Sequence, residues 1–202
     1  MKVKKITGAA LAGGKGFYNR VEDDYYATPK YATRLFIDKL MEDNIKLKGS
    51  FLEPACGGGH ISDVLIEYFG DDNVFSFDLV DRGYARLNGV KDFLTDDFKR
   101  FDNIITNPPF KYAKEFILKS LSISNDKVMM LCKIQLLEGV KRCDLFKNTP
   151  LKYVYVYSSR VATYRNGVSR DENGKKRATT MCLAWFIWEN GYIGDPVIRW
   201  IR

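Results

Sequence analysis

From residue 50 onward the chain repeats one order of elements: a short apolar run, a loop, then apolar residues at helical spacing. Phe51-Leu52 leads through Glu53-Pro54-Ala55-Cys56-Gly57-Gly58-Gly59 into Ile61, Val64, Leu65 and Tyr68. Val74 to Leu79 is a second apolar run. Phe101 to Thr106 is another, followed after Asn107 by Ala113, Phe116, Ile117 and Leu121. Val128 to Cys132 reads as a buried strand, and a helix is predicted over 138–147. Strands joined through helices form a parallel sheet covered on both faces. The tail differs. Tyr153 to Tyr157 and Met181 to Trp188 are β-rich, with a polar insert and no helix between them. They are expected to pair antiparallel, so the expected fold is α/β and doubly wound, mostly parallel, with an antiparallel C-terminal strand as the last of the sheet.

The 202 residues fit one domain. Residues 1–24 are polar, Gly-rich and charged and read as a mobile arm; residues 25–202 form the domain, with a basic insert at 158–180. Tyr25-Tyr26-Ala27-Thr28-Pro29 enters a first helix, with Thr28 suited to the N-cap, Pro29 to the first helical position, and Ala32, Leu35, Phe36 and Leu40 as its apolar stripe. No apolar run approaches the ~20 residues of a membrane span. The four cysteines, Cys56, Cys132, Cys143 and Cys182, form no C-x-x-C pair, and there is one histidine, which argues against zinc. Cys132 and Cys182 sit in apolar runs and are expected to be buried thiols. A cytoplasmic location is expected. The formal net charge of +7 favours a polyanionic partner.

Chemistry is expected where the strands end. The segment Glu53-Pro54-Ala55-Cys56-Gly57-Gly58-Gly59 turns from a strand into a helix, where Gly57 and Gly59 allow close backbone approach to a ligand. It is not G-x-G-x-x-G. An acid at the strand end repels phosphate and attracts a cation, and S-adenosylmethionine carries an ammonium and a sulfonium. Asp78 ends the second strand and is placed to accept from ribose hydroxyls, with Asp81 as a neighbouring competitor. Asp92 is a candidate for the adenine amine and Phe93 for the adenine ring. His60, at the start of the following helix, reads as a local cap or cofactor-edge residue.

Asn107-Pro108-Pro109-Phe110 is the most specific feature. Two prolines stiffen the loop and remove two donors. The Asn107 side-chain oxygen and the Pro108 carbonyl are then free to accept the two N–H groups of an aryl or amide-like amine. That favours a tetrahedral nitrogen with its lone pair aimed at a methyl group. Phe110 offers a stacking surface for a planar target.

These residues resemble the class I S-adenosylmethionine-dependent amino-methyltransferases that modify adenine. Asn107 to Phe110 matches their Asn/Asp/Ser-Pro-Pro-aromatic signature in full. Glu53 to Gly59 looks like their cofactor loop, and Tyr26-Ala27-Thr28-Pro29 like the Thr-Pro segment that covers the methionine end of the cofactor in DNA enzymes. Asp78 and Asp92-Phe93 fall where those enzymes contact adenosine. The resemblance runs from about Tyr25 to Trp188, with the flavour of the small adenine methyltransferases of phages and prophages. It implies a Rossmann-like sheet of about seven strands, bound S-adenosylmethionine, DNA as partner, and flipping of the target base out of a duplex.

The family's DNA members usually carry a sizeable recognition region, and none fits in this length. The candidates are the arm, the loop after Phe110 with Lys111, and the basic insert. The insert holds Arg160, Arg165, Arg170, Lys175, Lys176 and Arg177 with Tyr164 among them. Such residues contact phosphates and stack on bases. Similar loops also serve RNA adenine, RNA guanine amine and protein glutamine methylation. A nucleic-acid-binding module that keeps the cofactor pocket without turnover is the non-enzymatic alternative.

Overall fold

Leu183–Glu189 is apolar at almost every position, and all but the last residue is buried. A strand reads this way when both of its faces are covered. In the computed structural model, which describes residues 25–165 and 181–202, this strand lies inside an eight-stranded sheet. The N-terminal arm and residues 166–180 of the basic insert lie outside the described residues.

The elements run β1 (Tyr26–Ala27), α1 (Lys30–Glu42), β2 (Phe51–Glu53), α2 (His60–Phe69), β3 (Val74–Asp78), β4 (Gly89–Val90), β5 (Phe101–Thr106) and α3 (Ala113–Ile123). They continue with β6 (Ser124–Lys133), α4 (Val140–Lys147), β7 (Leu151–Tyr157), β8 (Tyr164–Arg165), β9 (Leu183–Glu189) and β10 (Val197–Ile201). Sheet order is β10-β7-β9-β6-β5-β2-β3-β4. β9 is antiparallel to both neighbours, and every other pair in this sheet is parallel. The expected doubly wound, mostly parallel α/β sheet with an antiparallel strand is therefore present, but that strand, β9, is the penultimate one and not the last. One further strand, β10, adds in parallel at the edge beside β7. Its outward residues Val197, Ile198 and Trp200 stay exposed.

Alternation along β9 divides the core in two. Leu183, Trp185 and Ile187 join Ala32, Phe36, Ile37 and Leu40 of α1 and Ile61, Val64 and Leu65 of α2 on one face. Ala184, Phe186 and Trp188 join Ala113, Phe116 and Ile117 of α3 and Leu145 of α4 on the other. Phe36 stacks on Trp185 with ring centroids 4.4 Å apart. Among the described residues no helix is long and apolar enough to cross a membrane.

Three local expectations are corrected. Thr28 does not cap α1: Pro29 occupies the N-cap and its carbonyl accepts the Ala32 N–H at 2.9 Å, while the Thr28 hydroxyl is engaged elsewhere. Leu35 is 37% exposed, and Ile37 takes its place in the buried stripe. Cys182 is exposed although Cys132 is buried, because Cys182 precedes β9 and lies outside its covered run.

Asp43, just after α1, ties that helix to the last strands. Its carboxylate accepts from the Tyr155 hydroxyl at 2.6 Å and pairs with Arg199 at 2.7 Å and Lys39 at 3.0 Å. Burial alone would raise its pKa, but the bonds from Tyr155, Arg199 and Lys39 outweigh that and bring it from 3.8 down to about 2. The folded state thus binds this proton more weakly than the unfolded chain. Its stabilisation is complete above about pH 4 and disappears as pH falls towards 2. Asp43→Asn should cost about 2 kcal/mol at neutral pH and flatten this part of the acid-unfolding limb, as read by urea denaturation at a series of pH values.

Candidate active site

Parallel strands align their carboxyl ends, and the sheet changes direction between β2 and β5, the place where open α/β sheets bind ligands. Glu53 ends β2, Asp78 ends β3 and Asn107 follows β5. A cavity of about 580 Å³ opens at this edge, within the range of small-molecule sites. Of the residues singled out in the sequence for the cofactor, Tyr26, Thr28, Glu53, Pro54, Ala55, Asp78, Asp92, Phe93 and Asn107 line it. Pro29, Gly57 and Gly59 do not. Pro29 is buried at the start of α1, and the two glycines shape the loop behind the wall.

The glycine loop owes its form to positive φ at Gly57 (56°) and Gly59 (76°). A Cβ at Gly57 would meet the Tyr25 ring at 2.3 Å, and one at Gly59 the Tyr84 ring at 2.1 Å. The close approach inferred from the sequence is therefore made to two aromatic rings. The Tyr25 hydroxyl accepts the Gly58 N–H at 3.0 Å, and the Arg82 guanidinium lies 4.4 Å from the Tyr25 ring centre. Tyr25 and Arg82 both line the cavity, and neither stood out in the sequence. Each owes its place to contacts far along the chain.

Asp78 holds the loop from the neighbouring strand. One oxygen accepts the Gly57 N–H at 2.7 Å and the other the Val80 N–H at 2.9 Å, with Arg82 at 3.9 Å. Each oxygen keeps a second lone pair for a ligand hydroxyl. Its competitor Asp81 is exposed and accepts from Gly83 at 2.8 Å. Asp92 accepts the Leu94 N–H at 2.9 Å, and Phe93 is buried against Phe98 and Phe116.

Glu53 is 1% exposed, and the Ser62 hydroxyl donates to it while also lying 2.6 Å from Ser76 Oγ. No lysine or arginine pairs with it among the described residues. Burial, reinforced by the charges of Asp78 and Asp63, pushes its pKa well above the ordinary 4.5 despite the Ser62 bonds. A cationic ligand would supply what this carboxyl lacks. His60 Nδ1 is likewise buried at the cavity without a partner among the described residues. Burial, with the Lys30 charge, lowers the His60 pKa and favours the neutral ring. The donors and acceptors present therefore fit S-adenosylmethionine: Glu53 for a cationic centre, Asp78 and Asp92 for hydroxyls and an amine, Phe93 for a ring.

The Asn107 side-chain amide donates to the Tyr26 carbonyl at 2.8 Å and to Thr28 Oγ1 at 3.2 Å. A carbonyl only accepts, so this contact assigns the amide orientation: Nδ2 faces β1 and Oδ1 is left without a partner among the described residues. Pro109 donates no proton, and its carbonyl accepts the Tyr112 N–H at 2.8 Å, closing a short 3-10 turn (Phe110–Tyr112). The buried Pro108 carries a carbonyl with no hydrogen bond among the described residues. Phe110 does not line the cavity. Its ring lies 6.4 Å from that of Tyr26 at 17°, with the Lys133 ammonium 5.0 Å from its centre.

The residues expected to contact nucleic acid are spread. Lys111 lines the cavity rim and donates to the Tyr112 hydroxyl at 3.0 Å. Arg160 is exposed. Tyr164 and Arg165 form β8, which pairs antiparallel with β1 in the register Ala27 to Tyr164 and Tyr26 to Arg165. Residues 164–165 of the insert thus pair with the strand whose Tyr26 carbonyl accepts from Asn107. Lys175, Lys176, Arg177 and Arg170 lie outside the described residues.

No protein-family model matches this sequence, and neither does any curated protein. Solved structures do. A type I restriction–modification methyltransferase subunit from Streptococcus thermophilus matches with a TM-score of 0.65 at 14% identity, over 90% of this chain and 48% of that one. A class I S-adenosylmethionine-dependent methyltransferase from Listeria monocytogenes matches with a TM-score of 0.60 at 15% identity, over 95% and 70%. A protein described as an RNA methyltransferase from Pyrococcus horikoshii matches with a TM-score of 0.58 at 17% identity, over 89% and 93%. The chain therefore has the class I S-adenosylmethionine-dependent methyltransferase fold.

Because folding raises the Glu53 pKa, the protein is favoured with this group protonated. That contribution is lost as pH rises from about 4.5 through the raised value. Glu53→Gln should remove this loss. Thermal melts of the ligand-free protein should show wild type losing stability with rising pH and the variant losing less.

Proposed function

We propose that this protein transfers the methyl group of S-adenosylmethionine to the exocyclic N6 amine of adenine in DNA. The observation that carries the reading is the assigned orientation of Asn107. Its N–H groups are held by Tyr26 and Thr28, so an unpartnered Oδ1 remains on a loop of two prolines beside the cavity.

S-adenosylmethionine, when bound, supplies an electrophilic methyl group next to a positive sulfur. Glu53, Asp78, Asp92 and Phe93 would hold it. The work of the chain is then on the amine. An exocyclic amine on a purine is a weak nucleophile because its lone pair is delocalised into the ring. Asn107 Oδ1 and the Pro108 carbonyl accept its two N–H bonds and favour the tetrahedral nitrogen. Fixed acceptors of this kind act without reorganising during the reaction. No side-chain base is needed before attack, and the surplus proton leaves the methylated amine afterwards.

DNA is favoured by the likeness of Tyr26-Ala27-Thr28-Pro29 to the cofactor-covering segment of DNA enzymes and by the basic insert, whose residues 164–165 pair with that segment. The similarity to a restriction–modification methyltransferase subunit agrees with this. RNA adenine is the second reading. It is favoured by the match to the Pyrococcus protein described as an RNA methyltransferase, which covers 93% of that chain.

Expression in a host free of DNA methylation, followed by base mapping on long reads, should reveal one adenine motif carrying N6-methyl. Methylated RNA or protein with unmodified DNA would overturn the DNA assignment. Asn107→Ala should bind S-adenosylmethionine within about tenfold of wild type but lower the rate of transfer by about 10²–10³. Unchanged transfer in that variant would remove the loop from the chemistry.

A further inference from the structure

Phe110 is covered on both sides. Tyr26 stacks along it, and the Lys133 ammonium stands 5.0 Å from the ring centre. Lys133 ends β6, the strand beside β5, and pairs in register with Leu183 at the start of β9. Next to it the Ile134 N–H donates to the Cys182 carbonyl at 2.9 Å. The described residues that flank 166–180 are therefore rooted on neighbours of the Phe110 ring: β8 on the Tyr26 strand, and the approach to β9 on Lys133 and Ile134.

The charge of Lys133 is unusual for its strand. Lys127, also on β6, is paired with Asp126 at 2.8 Å and Glu189 at 3.8 Å. Lys133 is half-buried and has no carboxylate partner among the described residues. Lys111, on the loop after Phe110, also lacks one and bonds only to the Tyr112 hydroxyl. Glu53, Asp78 and Asp92 line the cavity with Arg82 and Lys91, and Lys111 lines it near Phe110. Lys133 stands outside that lining, over the Phe110 ring. An ammonium there without a carboxylate partner suits an anion on the other reactant.

We propose that Lys133 is a substrate-positioning residue that binds a phosphodiester of the target nucleotide and, in doing so, gives up the face of Phe110 to the target base. This rests on the nucleic-acid reading above and adds to it how the polymer is held. An ammonium over a ring gains only from the ring quadrupole, whereas a phosphate oxygen offers full charge and a strong acceptor. Substrate arrival therefore moves the ammonium off the ring. The uncovered aromatic face then stacks on the base. A protein substrate would offer no phosphate for this lysine.

The test uses the full-length protein with an adenine-containing DNA oligonucleotide in fluorescence anisotropy across a salt series, and methyl transfer to the same oligonucleotide. Lys133→Ala and Lys133→Gln should each flatten the slope of log affinity against log salt by about 0.7–0.9, the loss of one phosphate contact. Both should raise KM about tenfold or more with a smaller change in kcat, and both should bind S-adenosylmethionine as wild type does, which reports an intact fold. Lys133→Arg should restore the slope. An unchanged slope in both neutral variants, with wild type still binding DNA, would overturn the role of Lys133 and leave the nucleic-acid reading standing. Wild type that binds no nucleic acid at any salt would overturn the reading itself.

Discussion

Burying Glu53 at the end of the central parallel strand costs free energy that no cation among the described residues offsets. The group is held by Ser62 from the neighbouring helix, whose hydroxyl also meets that of Ser76, and two further acids, Asp78 and Asp63, add their charge to its surroundings. A carboxyl group in such a place is poised for a positive ligand. The glycine loop that wraps above it is fixed by Asp78 from one side and by the Tyr25 and Tyr84 rings from the other. The parallel sheet sets the remaining geometry. By aligning β2, β3 and β5 it brings Glu53, Asp78 and Asn107 to one edge, so two carboxyl groups and the Asn107 side chain share one cavity.

The second organising contact lies across that cavity. β1 is only two residues long, yet its Tyr26 carbonyl and the Thr28 hydroxyl set the direction of the Asn107 amide. β1 in turn pairs with β8, which lies within the basic insert. The cavity wall, the Asn107 loop and residues 164–165 of the insert are thus joined through hydrogen bonds.

Much of this is readable from residue order. The alternation of runs points to the parallel sheet, and the β-rich Tyr153–Tyr157 and Met181–Trp188 to the antiparallel pair that β7 and β9 form. Glu53, Asp78, Asp92, Phe93 and Asn107 were placed at strand ends by local pattern alone, and the cavity collects them. What escaped depended on contacts distant in sequence. Tyr25 meets Gly58 across 33 residues, and Asn107 meets Thr28 across 79, so no window of local periodicity contains either pair. Thr28 has the signature of a cap, and its hydroxyl was drawn instead to Asn107. β10 leaves Val197, Ile198 and Trp200 exposed at an edge, where the two-sided apolar run that identifies an interior strand is absent.

The central claim is that the cavity takes a cationic cofactor through Glu53, and proton uptake or release on binding tests it most directly. Below about pH 7 the α-amine of the free cofactor is protonated, while burial makes Glu53 hold its proton more tightly in the ligand-free protein than an ordinary carboxyl does. Calorimetric titration of S-adenosylmethionine in two buffers of different ionisation enthalpy should show a proton released on binding, as the carboxyl ionises against the incoming charge. Binding without proton release, or no binding at all, would contradict the account.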